Sequence, residues 1–289
     1  MSKITFNNNT TQIPSDRIGI DMGQSLTKFV YLENNELILS SFPTQTSILL
    51  IKEFLSSKKK QFKIFNFTGG RSFKLYTEYS KNFNANLINE FQANVKGIEF
   101  LYRWEKSEEL PRTLIVTIGT GTSIVLNDNG YKHLGGSALG GGFFMGIIKA
   151  LFNLNDFQKA LNFANKGNRY NVDLKVSDIY SPEDKRVDLF FREFTAASLG
   201  KINEVFDIKS LNKEDFINSL ICLIGENLGT IATNVAENNN VTKIVFCGGF
   251  LKENKILKKI LSLLCKVNKK KAIFLKYSEY CAGIGALLV

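Results

Sequence analysis

One short pattern occurs twice in this chain, and the repeat limits the fold more than any other feature. Residues 20–26 read IDMGQSL and residues 118–124 read IGTGTSI, agreeing at isoleucine, glycine, serine and a closing apolar residue. Residues 17–21 form an apolar run ahead of the first glycine turn. A second run, 26–32, stops at Asn34-Asn35, a pair that tolerates left-handed backbone, and a third, 36–40, completes a meander. The later copy follows the same plan. It has a strand over 113–118, a turn at Gly119-Thr120-Gly121, a strand over 123–126 and a hairpin turn at Asp128-Asn129-Gly130. An internal duplication explains both economically and predicts two lobes of similar design.

Each copy leads into a helical stretch, 89–102 after the first and 138–152 after the second. A long helix over 219–237, a strand over 243–247, a helix over 251–265, a strand over 272–275 and an apolar closing segment follow. Alternating strands and helices predict an α/β architecture. The pattern breaks near Pro111, where charged residues and a proline separate Trp104 from Thr113. The expected organisation is a disordered or extended tail over 1–15, an N-terminal lobe over 16–112 and a C-terminal lobe over 113–289.

Composition narrows the class. With 289 residues, 44% apolar and 22% charged, the chain is neither disordered nor fibrous. A chain of this length buries roughly three quarters of its unfolded surface, so it folds without disulfides or metal. Cys222, Cys247, Cys265 and Cys281 include no CxxC pair, which argues against a zinc site or disulfide framework and suits a reducing cytosol. The polar N-terminus carries no signal peptide, and no run of about 18 apolar residues suggests a membrane span. A soluble cytoplasmic protein is expected. The net charge of +10 comes mostly from lysines such as Lys58-Lys59-Lys60 and Lys269-Lys270-Lys271. Without an arginine stripe or a nucleic-acid motif, these read as solvated faces, with no nucleic-acid partner. A phosphorylated ligand would also profit from the charge.

Three glycine clusters follow strands or open a helix: 21–28 (DMGQSLTK), 119–123 (GTGTS) and 139–146 (LGGGFFMG). Backbone N–H groups at such turns and at a helix N-terminus cradle phosphate oxygens, and glycine lets the anion approach. GxxxxGK[ST] is absent, and Ile124 occupies the third glycine position of GxGxxG. Two hairpins of one type and a third cluster therefore point to a nucleotide held between lobes. Asp21 beside the first cradle suits Mg2+ held through water, or it caps its turn. Lys28 either reaches a phosphate or is a plain surface lysine.

In this order, DxGxSLTK, TGGRSF (68–73), NEFQANVKG (89–97), TIGTGTS and GGSALGGGFFMG resemble the type II pantothenate kinases. DLKVSDIY (173–180), EFTAASLG (193–200), FCGGFLKENKIL (246–257) and YCAGIGALLV (280–289) continue the resemblance over residues 16–289. It implies the duplicated ribonuclease H-like lobes of the actin-like ATPase and sugar-kinase superfold. It also implies ATP-dependent phosphorylation of pantothenate to 4′-phosphopantothenate, the first step toward coenzyme A, with ATP and Mg2+. Glu90 takes the place of the family's general base; by spacing alone it is a carboxylate at a helix start. The resemblance assigns ATP to Gly23, Gln24, Ser25, Leu26, Thr27, Lys28, Phe29 and Val30. It adds Thr120, Gly121, Gly141, Gly142, Phe143, Phe144 and Met145, with Phe157 and Gly249 near the adenosine. Ser123 and His133 fall at the substrate. A homodimer joined through the C-terminal lobe around the 219–237 helix is implied, with coenzyme A or its thioesters as inhibitors.

His133 is the informative departure, because family members carry an arginine there. Histidine is shorter, only partly charged at neutral pH, and forms no guanidinium fork. Either Lys132 or Arg71 supplies the charge, or the acidic end of the acceptor differs. EFTAASLG also departs from a proline–glycine–aspartate version in relatives. Two other readings stay open: a kinase of the same superfold acting on pantetheine or an N-acetylhexosamine, and a non-catalytic nucleotide-binding regulator.

Overall fold

The computed structural model describes residues 2–5, 13–45, 48–203 and 205–289. The chain begins with β1 (Ser2–Thr5), β2 (Arg17–Met22), β3 (Leu26–Glu33), β4 (Glu36–Pro43), α1 (Ile48–Lys58), β5 (Ile64–Thr68), α2 (Phe73–Tyr79), β6 (Asn84–Leu87) and α3 (Glu90–Lys106). It then forms β7 (Thr113–Ile118), β8 (Thr122–Asn127), β9 (Tyr131–Ser137), α4 (Gly141–Phe152) and α5 (Phe157–Ala164). A small ribbon, β10 (Leu174–Lys175) with β11 (Thr195–Ala197), precedes α6 (Lys213–Asn238), β12 (Lys243–Cys247), α7 (Lys255–Val267), β13 (Lys271–Phe274) and α8 (Cys281–Leu288).

The two large sheets repeat one topology. The first runs β4-β3-β2-β5-β6 with β1 added at the β4 edge; the second runs β9-β8-β7-β12-β13. In each, the first three strands form an antiparallel meander and the last two join in parallel. The Asn34-Asn35 turn does adopt left-handed backbone at both residues.

The strand register corrects the sequence alignment of the two hairpins. The last ladder pair is Met22 with Thr27 in the first and Ile118 with Thr122 in the second. Gly23 therefore corresponds to Gly119, not to Gly121. The second turn is one residue shorter, and the matched letters had slipped across that difference.

Three apolar clusters show the layering. Ile51, Leu55, Leu75 and Tyr79 from α1 and α2 pack on the outer face of the first sheet, around Phe29, Phe65 and Phe67. Helices α4 to α7 pack on the outer face of the second sheet, around Val116, Ile124 and Phe246. Between the sheets, α3 and α8 share one core with Val30, Leu39, Ile115 and Val245. The α3–α8 crossing is reciprocal: a Cβ on Gly97 would fall 1.8 Å from the Cys281 carbonyl oxygen, and one on Gly285 would fall 1.7 Å from that of Ala93. Glycine is required at both places because each backbone touches the other helix directly.

Three expectations need revising. The 113–289 lobe is not self-contained, because its last helix lies on the first sheet: Asn66 Nδ2 donates to the Ala286 carbonyl at 2.7 Å, and Gly19 abuts Gly283. Within the expected 1–15 tail, residues 2–5 pair with β4, while residues 1 and 6–12 lie outside the described residues. The main apolar side of helix α6 is turned into its own fold, with Leu223, Ile231 and Val235 partly buried at its margin. Phe216, Leu220, Ile224, Leu228 and Ala232 fill the core of the second sheet. Helix α6 is also the one described helix long and apolar enough to cross a membrane, but most of it is buried inside the fold.

Candidate active site

The two hairpin tips and the start of α3 enclose a cleft of about 690 Å³. In the first hairpin the Gly23 amide donates to the Leu26 carbonyl at 3.0 Å. The Thr44 hydroxyl braces the turn by donating to the Gly23 carbonyl at 2.9 Å. Asp21 and Lys28 are cross-strand partners, and Lys28 Nζ lies 3.1 Å from Asp21 Oδ2. Both line the cleft, and Asp21 is only 5% exposed. Burial disfavours the Lys28 ammonium, but the Asp21 carboxylate leads the charges that outweigh it, so its pKa is raised. Lys28 is a held cation, not a plain surface lysine.

The second hairpin closes through the Gly119 amide on the Gly121 carbonyl at 2.8 Å. Its tip is welded to α4: the Gly141 amide donates to Gly119 and the Gly142 amide to Thr120, each at 2.8 Å. Two of the helix-start donors expected to cradle phosphate are thus already used. A Cβ on Gly142 would fall 2.5 Å from Thr120 Cγ2, so glycine serves the packing of α4 here. The two tips meet through Ser25 Oγ and Thr120 Oγ1, 3.1 Å apart.

Glu90 is the first residue of α3, behind the Asn89 cap whose side chain accepts from the Phe91 and Gln92 amides. Its side chain meets the water in the cleft yet is walled in by protein. That desolvation, reinforced by the Asp21 carboxylate and opposed by Lys28, raises its pKa. A carboxylate tuned upward is suited to accept a proton near neutral pH.

The far wall is Gly248-Gly249-Phe250, with Met145 and Phe157. Gly248 holds φ at +106°, and its missing Cβ would strike the Ile118 backbone. Phe157 is part of this wall as well as of the core, edge-on to Phe144 at 6.2 Å.

Of the residues singled out from sequence, Asp21, Gly23, Gln24, Ser25, Leu26, Lys28, Glu90, Thr120, Gly121, Ser123, Gly141, Met145, Phe157 and Gly249 converge on the cleft. Others do not reach it. Thr27 is buried against Thr44, Phe29 packs with Phe42 and Phe54, and Val30 lies against Gly283. Strand alternation turns Thr27 and Phe29 away from the side Lys28 occupies. Gly142 is packed under Thr120, Phe143 is exposed, and Phe144 is core. His133 sits on β9 outside the lining; its ring stacks on Phe91, which does line the cleft, at 4.2 Å and 12°. Arg71 is tied to Gln24, its Nε donating to Oε1 at 2.6 Å.

Gly70, Asn94, Thr117, Asn155, Gly248, Phe250, Glu279 and Cys281 also line the cleft. Asn94 had a legible signal, since it lies one helical turn after Glu90. Gly70 and Gly248 had another, as glycines in the TGG and CGG turns. The rest come from distant segments that only the fold joins.

Among the described residues, no group of three or more His, Cys, Asp or Glu could hold a metal by itself. A divalent cation here would rest on the Asp21 carboxylate and retained waters, which is the mode Mg2+ favours.

The fold and cleft define a class. A ROK family protein from Streptococcus pneumoniae TIGR4 superposes with a TM-score of 0.55 at 13% identity, covering 94% of this chain and 96% of that one. A ROK family glucokinase from Streptomyces griseus, solved with glucose and AMPPNP, gives 0.55 at 10%, covering 94% and 97%. The architecture is that of the sugar-kinase superfold. Residues 17–289 match the Fumble family model. The type II pantothenate kinase of Bacillus cereus (strain AH820) is 32% identical over 274 residues, covering 94% of this chain and 96% of its own. That of Oceanobacillus iheyensis is 33% identical over 274 residues, covering 94% and 98%. The chain belongs to the Fumble family, among the type II pantothenate kinases.

Proposed function

We propose that this protein is an ATP-dependent pantothenate kinase. It transfers a phosphoryl group to the 4′-hydroxyl of pantothenate, the first step of coenzyme A biosynthesis. The observation that carries the reading is Glu90, a carboxylate of raised pKa facing the same cleft as both glycine hairpins.

Phosphoryl transfer asks a protein mainly for positioning and charge neutralisation. The Gly23–Leu26 and Gly119–Gly121 turns hold the phosphate chain, and Lys28 neutralises it. Gly249, Phe250 and Phe157 flank the adenosine. Ser123 hydrogen-bonds the acceptor, whose hydroxyl Glu90 orients and deprotonates. Asp21 would hold Mg2+ through water, and the ion would add to the neutralisation of phosphate charge. A homodimer, inhibition by coenzyme A or its thioesters, and a cytoplasmic location belong to the same reading. The dimer would need a surface other than the buried face of α6, and sedimentation decides it.

A coupled ADP-release assay across pantothenate, pantetheine and N-acetylhexosamines tests the reading. Pantothenate should give the highest kcat/KM. Turnover of the hexosamine alone would move the protein to a sugar kinase, and no turnover with any acceptor would favour a nucleotide-binding regulator.

A further inference from the structure

Cys247 is the last residue of β12, and Cys281 is the first of α8. Strand β12 is an inner strand of the second sheet, while α8 lies between the sheets with contacts to the first, and both cysteines face the core the two share. Their sulfurs are 3.9 Å apart. Both residues are buried, yet Cys281 lines the cleft, as does Thr117, whose hydroxyl lies 3.3 Å from Cys247 Sγ. The Cys281 thiol donates to Asn94 Oδ1 at 3.1 Å. Cys222 and Cys265 are buried elsewhere, on α6 and α7.

We propose that Cys247 and Cys281 form an oxidative modification site, a dithiol that a small peroxide converts to a disulfide joining the two lobes beneath the cleft. A disulfide needs sulfurs about 2.05 Å apart, so each has roughly 1 Å to travel. Hydrogen peroxide has only two heavy atoms, and Cys281, which lines the cleft, is the sulfur of the pair that it would meet first. The Cys281 sulfur attacks one peroxide oxygen, the O–O bond breaks, and the thiol proton leaves with the other oxygen as water. The Cys247 sulfur then attacks the resulting sulfenic sulfur. The S–O bond breaks, and the hydroxyl departs with the Cys247 proton as a second water. Two thiols and one peroxide give one disulfide and two waters.

Oxidation also removes the hydrogen that Cys281 donates to Asn94. Asn94 is 2% exposed and sits one turn from Glu90, so a buried acceptor beside the proposed base is left unpaired. Lower kinase turnover should follow. That consequence rests on the pantothenate kinase reading; the bond itself does not.

The test treats the full-length protein with hydrogen peroxide, blocks remaining thiols under denaturing conditions, and maps the peptides by mass spectrometry. The expected result is a Cys247–Cys281 crosslink, two hydrogens lighter than the reduced pair, reversed by dithiothreitol. Cys222 and Cys265 should remain alkylatable. Turnover should drop roughly tenfold, the size of one lost buried hydrogen bond, and recover on reduction. Cys247→Ala and Cys247→Ser should lack both the crosslink and the reversible loss. Free Cys247 and Cys281 after treatment, sulfinic or sulfonic acids in their place, or a crosslink through Cys222 or Cys265 would overturn the proposal. A crosslink without any change in turnover keeps the modification site and removes its link to the kinase reaction.

Discussion

Where the first hairpin sets Asp21 opposite Lys28, the second sets Thr117 opposite Ser123. All four residues line the cleft. The neighbouring parallel strands correspond as well: Asp21 pairs with Thr68 ahead of Gly69, and Thr117 pairs with Cys247 ahead of Gly248, both glycines having positive φ. The same contrast holds in the middle layer. Counted back equally from Gly97 and Gly285, Glu90 at the start of α3 corresponds to Ser278 just before α8. At these matched positions the first copy has Asp21, Lys28 and Glu90 where the second has Thr117, Ser123 and Ser278, and Glu279 is the charged residue that the second copy adds to the cleft lining. The two walls are similar in backbone and divide the polar chemistry at these positions: Asp21, Lys28 and Glu90 on one side, hydroxyls on the other.

The strongest way to break this division is at its two helix starts. Glu90→Gln should preserve nucleotide binding and lower kcat by about 10²–10⁴, the usual contribution of a general base. Ser278→Ala removes one buried neutral hydroxyl and should stay within roughly tenfold of wild type. Calorimetric nucleotide titration beside steady-state kinetics measures both. Equal losses at the two positions would end the asymmetry.

The hairpins give the next largest contrast. Lys28→Met removes a charge-assisted contact of about 1.5–3 kcal/mol, and Ser123→Ala a neutral one of about 0.5–1.5 kcal/mol. The lysine variant should therefore lose more kcat/KM, by tens-fold against less than about tenfold.

The division was only partly visible in the sequence. Glycine turns after apolar runs announced both hairpins, and the alternation of strand-like and helix-like stretches over 89–102 and 243–265 announced α3, β12 and α7. The paired topology did not show, because 48–87 carries α1, β5, α2 and β6 in aromatic-rich segments whose one glycine turn, Gly69-Gly70, does not mark where each element begins and ends. The stretch between α5 and α6 was equally silent. It is organised by polar contacts such as Arg169 with Asp173 and Glu226, both at 2.6 Å, which have no period. At the cleft, a contiguous motif such as 23–30 overstated the site, because a strand shows only alternate residues to one side. Glu279 and Cys281 were missed because α8 returns to the first sheet from the far end of the chain.

A smaller effect comes from adding positive charge to the second copy. His133 stacks on Phe91 at the edge of the cleft, and an arginine there keeps the stacking while reaching further. His133→Arg should lower KM for pantothenate roughly tenfold through a charge-assisted contact, with pantetheine unaffected. Unchanged constants for both acceptors would place residue 133 outside the substrate's reach.

The most direct test of the central claim, that Glu90 works as a base in a field set by Asp21 and Lys28, is the pH profile of kcat/KM. A base must be ionised, so activity is lost as pH falls through its pKa. Burial and then Asp21 raise that pKa, and Lys28 opposes them. The acid limb of wild type should therefore lie above the ordinary glutamate range. Asp21→Asn removes a like charge and should move the limb to lower pH, with burial still holding it up. Lys28→Met removes a favourable charge and should move it to higher pH. Opposite shifts in the two variants are the predicted result. A limb that stays fixed in both, or that survives unchanged in Glu90→Gln, would contradict the account.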